Sequence, residues 1–362
     1  MWRKPYGSTG KEITVVGFGG MRFANAKDID ANAEVVLYAH AKGINYFDTA
    51  PGYCGDNSEK ILGAAFKQMP RESFYCSTKC GDPDGAVLRR TLETSLKRMN
   101  VDWIDFFHIW CIVRPEEWQQ RKDGGAIPEA IKVKEEGLIR HLVTSVHLSG
   151  EEACKVLGED FIEGVTLPYN ALNFPFRSEA LDFAARRNIG VVTMNPLGGG
   201  LIPNNPQRMA FLKGPNDRNV VEAAIRFNIS HPAVTCALVG FTTKQHVDEA
   251  VAAVEGFQPY PPEHVERVKA NVEASFDGLC TMCGYCQPCP AELEIPKLME
   301  AYNWQILQGG DQSIANRLRW HWNMTPGDAA GCIDCGQCEE KCTQHLPIRD
   351  RLKEIADLGE KG

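Results

Sequence analysis

No stretch of this 362-residue chain approaches the roughly 18 consecutive apolar residues that a membrane-spanning helix needs. The opening Met1-Trp2-Arg3-Lys4-Pro5-Tyr6-Gly7 lacks the apolar centre of a secretory signal, so the sequence reads as cytoplasmic and without a membrane partner. An excess of positive charge is missing too: 39 Lys and Arg stand against 47 Asp and Glu, for a formal net charge of -8. Binding nucleic acid needs clustered cations to neutralise phosphates, so a broad nucleic-acid surface is excluded and small molecules or other proteins are the expected partners. A dinucleotide fingerprint is also absent, because Gly17-Phe18-Gly19-Gly20 is followed by Arg22 where a further glycine would stand. Those glycines read equally well as a tight turn leaving a strand, and no flavin motif is assignable anywhere.

What is present suits a folded enzyme. Hydrophobic residues make up 43% of the chain and charged residues 24%, enough to bury a sizeable core. Between about residues 13 and 256, short apolar runs alternate with amphipathic stretches in the pattern of repeated βα units. Strand candidates begin at Val15, Ile44, Phe74, Ile104, Leu142, Gly164, Gly190 and Cys236, with helices between them such as 30–42 and 86–99. Gly43, Gly137 and Gly190 precede strands and suit the left-handed residue that ends a helix. Eight such units predict a (β/α)8 TIM-type barrel, whose chemistry sits at the C-terminal ends of its strands. Gln258-Pro259-Tyr260-Pro261-Pro262 then breaks the rhythm, which sets a barrel over 1–262 and a small, α-rich second domain over 263–362.

Asp48, Tyr53, Lys79 and His108 fall at or just after successive strand ends. A tyrosine hydroxyl, with an ordinary pKa of about 10, needs a nearby cation to become a useful acid or base, and Lys79 offers one. Asp48 can hold Lys79 by an ion pair, and a neutral His108 can orient a carbonyl oxygen. Any one of these residues alone reads as a surface ion pair or a structural histidine; the ordered set points to reversible hydride transfer, with the hydride coming from a nicotinamide.

The segments Gly17-Phe18-Gly19-Gly20-Met21-Arg22, Phe47-Asp48-Thr49-Ala50-Pro51-Gly52-Tyr53, Ser77-Thr78-Lys79 and Asp105-Phe106-Phe107-His108 closely resemble the aldo/keto reductase family. The resemblance implies that Asp48, Tyr53, Lys79 and His108 are the catalytic tetrad of an oxidoreductase that uses NAD(P)H. It further implies nucleotide contacts at Gly20, Met21, Arg22 and Asp48, at Ser145 and His147, and at Tyr169, whose ring would stack on the nicotinamide. Pro196, Leu197, Gly198, Gly199 and Gly200 would cover the pyrophosphate, and Gly240, Thr242, Lys244 and Glu249 the adenosine. Three positions depart from the family pattern. Ser145 is followed by Val146 and His147 rather than Asn, Thr166 replaces a Gln, and no Arg is available for a 2′-phosphate. The choice between NAD and NADP therefore stays open. Trp110 and Trp118 fall in the loop after the fourth strand candidate, as pocket wall or as loop packing.

Eight of the 14 cysteines lie in two tight runs. Cys280-x2-Cys283-x2-Cys286-x2-Cys289-Pro290 is followed, after 42 residues, by Cys332-x2-Cys335-x2-Cys338-x3-Cys342. Each run is close to the bacterial ferredoxin pattern for 4Fe-4S clusters; two Cys₄ zinc sites are the alternative, although zinc usually pairs two separate CxxC elements. The region resembles the dicluster ferredoxin-like module found at the C-terminus of some aldo/keto reductases. On that pattern Cys280, Cys283, Cys286 and Cys342 hold one cluster, and Cys332, Cys335, Cys338 and Cys289 the other. The expected function is hydroxyl–carbonyl interconversion with a nicotinamide, plus electron exchange through two clusters with a ferredoxin-like or flavoprotein partner. Three other readings stay open: purely structural clusters, a redox-neutral sugar-modifying enzyme that uses bound nicotinamide transiently, and a non-catalytic scaffold. Oligomeric state stays open as well.

Overall fold

The computed structural model describes residues 1–362 except 276, 277, 281, 283, 309–311, 361 and 362. Two short strands, β1 (Arg3–Pro5) and β2 (Glu12–Thr14), form an antiparallel hairpin with Lys4 opposite Ile13. Eight parallel strands follow: β3 (Val16–Gly19), β4 (Tyr46–Asp48), β5 (Tyr75–Cys80), β6 (Ile104–Ile112), β7 (Ile139–Val146), β8 (Gly164–Pro168), β9 (Gly190–Met194) and β10 (Cys236–Gly240). They close into a barrel in the order β10-β3-β4-β5-β6-β7-β8-β9. Every strand candidate in the sequence is found. The hairpin was not anticipated, because three-residue strands carry too little pattern to read.

The hairpin plugs the barrel. Tyr6, fully buried, packs in the barrel interior with Ile13, Tyr46, Phe106, Val143, Val192 and Cys236. Its ring needs the space left by two glycines: a Cβ on Gly164 would lie 2.2 Å from the Tyr6 hydroxyl oxygen, and one on Gly190 2.6 Å from Tyr6 Cδ1. Gly43 and Gly137 do take positive φ, 92° and 81°. Gly190 instead starts β9 beside Tyr6, and the left-handed residue before that strand is Asn188, at φ 52°. The helices start where the sequence offers caps. Asp28 accepts from Ala31 N at 3.1 Å to begin Ile29–Ala41, and Asp84 from Val87 N at 2.8 Å to begin Gly85–Met99.

The chain divides into two compact units: residues 1–197 with 212–262, and residues 198–211 with 263–362. The second unit includes the helices Ile295–Gln308 and Ile348–Glu360 and the short helix Gln312–Arg317, which runs into a π-helical turn, Leu318–Trp322. Its apolar core gathers Leu298, Met299, Ile314, Leu318, Leu352 and Ile355 together with Cys280, Cys338 and Cys342. The segment 198–211 groups with this unit rather than with the βα rhythm in which the sequence placed it. Arg208 reaches into it, donating to the Ile306 carbonyl at 3.4 Å.

Candidate active site

Strand alternation explains how polar groups collect at one end of the barrel. Tyr46, Phe106 and Val143 point into the interior, so Asp48, His108 and Ser145, two residues further on, share that face nearer the C-terminal mouth. Lys79 reaches Asp48 Oδ1 at 2.5 Å and the Thr49 carbonyl at 2.7 Å. Ser77 donates to Asp48 Oδ2 at 2.7 Å and meets His108 Nε2 at 2.9 Å, so one carboxylate organises both Lys79 and His108. The Lys79 ammonium lies 5.5 Å from the centre of the Tyr53 ring. Ser77 was not singled out from the sequence, although its place two residues before Lys79 puts it on the same face.

Tyr53 opens a tight turn in which Gly52, Cys54, Gly55 and Asp56 all have positive φ. Arg98 straps this turn, donating to both Asp56 oxygens at 2.9 and 2.5 Å and to buried Glu59 at 3.2 Å. Glu59 in turn accepts from Thr78 Oγ1 at 2.8 Å, which ties the turn to β5. Across from Tyr53, the β6 pairing with β7 slips between Ile109 and Ile112, and Cys111 sits at φ 60°. Such bulges re-aim a side chain, and here Trp110 meets the Tyr53 ring edge-on at 5.7 Å. Trp118 packs away against Phe161 and donates to Glu159 at 3.2 Å.

Burial dominates the electrostatics. It pushes the Tyr53 hydroxyl well above its ordinary value, aided by Asp48 and opposed by Arg22. Lys79, which was expected to stabilise the phenolate, gives two of its donors to Asp48 and Thr49, and burial favours the protonated form of Tyr53. Burial also lowers Lys79 against the pull of Asp48. Burial and the Lys79 charge together hold His108 well below the usual histidine range, so the imidazole is neutral.

In the second unit, Cys286, Cys289, Cys332, Cys335 and Cys338 together line one pocket. Cys280 and Cys342 lie in the buried core with Cys338, and both are within electrostatic reach of Arg351. Backbone N–H groups already point at these two sulfurs: Met282 at Cys280 and Leu346 at Cys342, each at 3.4 Å. Asn303 locks the Cys280 backbone from both sides, at 2.8 and 2.7 Å. The cavity and the amide donors fit the needs of thiolate-bound iron-sulfur clusters. Cys283 lies outside the described residues.

The sequence profile of the aldo/keto reductase family matches residues 15–273. The chain belongs to the aldo/keto reductase family. It is an oxidoreductase of the barrel type, and the profile of a 4Fe-4S dicluster domain matches residues 279–347. L-galactose dehydrogenase of Arabidopsis thaliana is 28% identical over 278 residues, covering 68% of this chain and 86% of that protein. The NADH-specific methylglyoxal reductase of Escherichia coli strain K12 is 27% identical over 229 residues, covering 56% and 69%. An aldo-keto reductase from Bacillus halodurans, solved in its holo form, shares the fold with a TM-score of 0.66 at 23% identity, over 75% of this chain and 96% of that one.

Against this aldo/keto reductase background, the nucleotide residues fall into groups. Gly20 is a close-approach glycine: a Cβ there would lie 2.6 Å from Ser58 Oγ, which donates to the Gly20 carbonyl. Met21 and Arg22 are exposed beyond it. Ser145 and His147 are buried; Ser145 Oγ accepts from Cys111 N at 3.1 Å, and the His147 carbonyl from Arg177 at 2.9 Å. Tyr169 is not brought to the mouth. Its ring is buried among Phe174, Phe227 and His231, because Thr166 and Pro168 take the interior face of β8 and send residue 169 outward. The same alternation from Val192 aims Met194, half-buried at the end of β9, into the barrel interior. Met194 carried no sequence signal beyond its register. Asn228 donates to the Pro196 carbonyl at 3.5 Å, and Leu197 ends the first unit, so Gly198, Gly199 and Gly200 fall in the second. At the far strand, Gly240 is exposed and Thr242 Oγ1 meets His246 at 2.8 Å. Lys244 pairs with Glu34 at 3.1 Å, and Glu249 accepts from Gln245 at 2.9 Å.

Proposed function

We propose that this aldo/keto reductase interconverts a hydroxyl and a carbonyl on a small-molecule substrate with bound NAD(H) or NADP(H). In this reading it also carries two 4Fe-4S clusters that exchange single electrons with a ferredoxin-like or flavoprotein partner. The observation that carries it is the single carboxylate, Asp48, joined to Lys79 and, through Ser77, to His108, with Tyr53 set over the pair. A bound nicotinamide supplies or accepts the hydride at the reacting carbon. Tyr53 Oη gives its proton to the carbonyl oxygen as charge develops there, and the raised hydroxyl keeps that proton available through neutral pH. His108, being neutral, borders the site without adding charge, its Nε2 shared with Ser77. Asp48 holds Lys79 where its charge faces the Tyr53 ring. Similarity to L-galactose dehydrogenase adds sugar-type hydroxyls to the substrates worth assaying.

Cys280, Cys283, Cys286 and Cys342 would hold one cluster, and Cys289, Cys332, Cys335 and Cys338 the other. The shared Arg351 neighbourhood of Cys280 and Cys342 supports pairing those two, and the pocket gathers Cys289, Cys332, Cys335 and Cys338 with Cys286 at the same place. Hydride transfer moves two electrons and a cluster one, so a flavin or similar converter belongs on the partner. A second reading, in which the clusters only hold the unit together, is favoured by the place of Cys280, Cys338 and Cys342 in its apolar core.

Tyr53→Phe tests the carbonyl chemistry. It should lower turnover on the order of 10²-fold or more while nucleotide binding survives. Activity within a few-fold of wild type would remove Tyr53 from the mechanism. Anaerobic purification, with identification of released nucleotide and dithionite-difference spectra, tests the cofactors.

A further inference from the structure

Strands, helices and loops of the barrel unit carry several cations, and most are occupied. Lys79 is held by Asp48 and Thr49. Arg98 is taken by Asp56 and Glu59, and Lys244 by Glu34. Arg22 differs. Among the described residues it makes no ion pair and no hydrogen bond, and it is exposed. It is not a loose surface side chain, however. β3 pairs with β10 so that Gly19 lies opposite Gly240, and the Arg22 stem packs over that glycine: a Cβ on Gly240 would lie 2.8 Å from Arg22 Cγ and 3.0 Å from its Cβ. Any larger residue at 240 would push the stem away. The guanidinium also acts on Tyr53, drawing its hydroxyl down against the effect of burial. An unpaired guanidinium on a packed stem, within electrostatic reach of the proton donor in a chain with net charge -8, stands out as a charge kept for a ligand.

We propose that Arg22 binds an anionic oxygen group, a carboxylate or phosphate, carried by the substrate, so that the enzyme selects acidic carbonyl and hydroxyl compounds over neutral ones. The proposal rests on the carbonyl-interconverting reading of the mouth and adds its substrate class. Guanidinium suits this task because its planar fork meets two oxygens of one carboxylate or phosphate at once. Lys79 is less suited, since two of its three donors are turned to Asp48 and Thr49. The other source of an anionic oxygen is the pyrophosphate of the nucleotide, and the family resemblance implies that Arg22 is one of the nucleotide contacts.

The test uses the intact, cluster-loaded chain. Wild type, Arg22→Gln and Arg22→Lys are assayed with succinic semialdehyde and with butanal, which has the same carbon count and no carboxylate. Affinities for NADH, NADPH and 4-hydroxybutyrate are measured separately by fluorescence titration. The expected result is that the kcat/KM preference for succinic semialdehyde over butanal falls on the order of tenfold or more in Arg22→Gln, as a lost charge-assisted bond requires. Arg22→Lys should recover part of it, and 4-hydroxybutyrate binding should weaken in parallel. Nucleotide affinity should move by less than about twofold. An unchanged preference overturns the proposal, as does a loss of nucleotide affinity that matches the loss of activity, which would give Arg22 to the pyrophosphate. The underlying reading fails differently: 4-hydroxybutyrate binding that depends on Arg22 in a chain reducing neither aldehyde would keep the anion site and remove carbonyl chemistry.

Discussion

Tyr6 fills its end of the barrel because Gly164 and Gly190 leave it room, and the space is tight. Gly164→Ala puts a methyl group 2.2 Å from the Tyr6 hydroxyl oxygen and should destabilise by about 1–3 kcal/mol, the usual cost of overpacking. Tyr6→Leu in the same chain should recover part of that loss in a urea titration, and additive losses would show that the two residues do not share the space. Tyr53 carries a pH prediction. Oxidation of a hydroxyl needs the phenolate, which burial and Asp48 disfavour, so its rate should climb steadily on the alkaline side while reduction holds through neutral pH. His108 adds a stability term of known sign. Its folded pKa lies well below the usual 6.5, so as pH falls below 6.5 the unfolded chain takes up a proton that the folded one refuses, and stability declines. Denaturation midpoints at pH 7.5 and 5.5 should therefore converge in His108→Gln. Lys244, paired with Glu34 and without an arginine beside it, should leave NAD(H) bound no worse than about tenfold more weakly than NADP(H). Parallel titrations with the two nucleotides check this.

The strand ends were legible because a period of two survives in any strand long enough to have a middle. β6 and β7 announce themselves, and they carry His108 and Ser145 to the mouth. What escaped reading was set by single-residue shifts. The step from Pro168 to Tyr169 turns a ring from the interior to the outer packing, and the slip after Ile109 turns Trp110 toward Tyr53. The Arg98 strap was equally silent, since its partners Asp56 and Glu59 lie some forty positions away on another element. It makes a sharp element-level prediction. Arg98→Met leaves Glu59 buried beside Thr78 without its cation and should cost on the order of 3 kcal/mol. The freed Tyr53 turn should also lower kcat more than it weakens nucleotide binding, which calorimetry alongside steady-state assays would resolve.

At the scale of the whole molecule, the barrel and the cysteine-rich unit were both readable from pattern, one from eight repeats and the other from two runs of thiols. The grouping of residues 198–211 was not, because nothing in Leu201-Ile202-Pro203 says which core will accept it. The two cysteine runs should behave as one folding unit, with about eight irons per chain for two four-iron clusters. Cys342→Ala should damage the site of Cys280 and Cys286, whereas damage confined to the cavity of Cys332, Cys335 and Cys338 would refute the crossed arrangement. In the intact chain, the exposed Cys335 and the buried Cys280 and Cys342 predict that a chelator strips iron in two phases, the Cys335 site first.

Ribosomes make proteins from one end, and domains tend to fold in the order they emerge. The stretch 198–211 leaves the tunnel in the middle of the barrel sequence, yet the rest of the unit it joins, from residue 263 onward, is made after the barrel. The nascent protein therefore carries this piece, with its apolar Leu201, Ile202 and Met209, before the rest of the unit that it groups with has emerged. Emergence of residues 263–362, and with it the chance to load iron, sets the earliest moment at which this unit can form. A chain terminated after Pro262 should hold that piece open permanently, and limited proteolysis should cut it there while sparing the same bonds in the full-length protein.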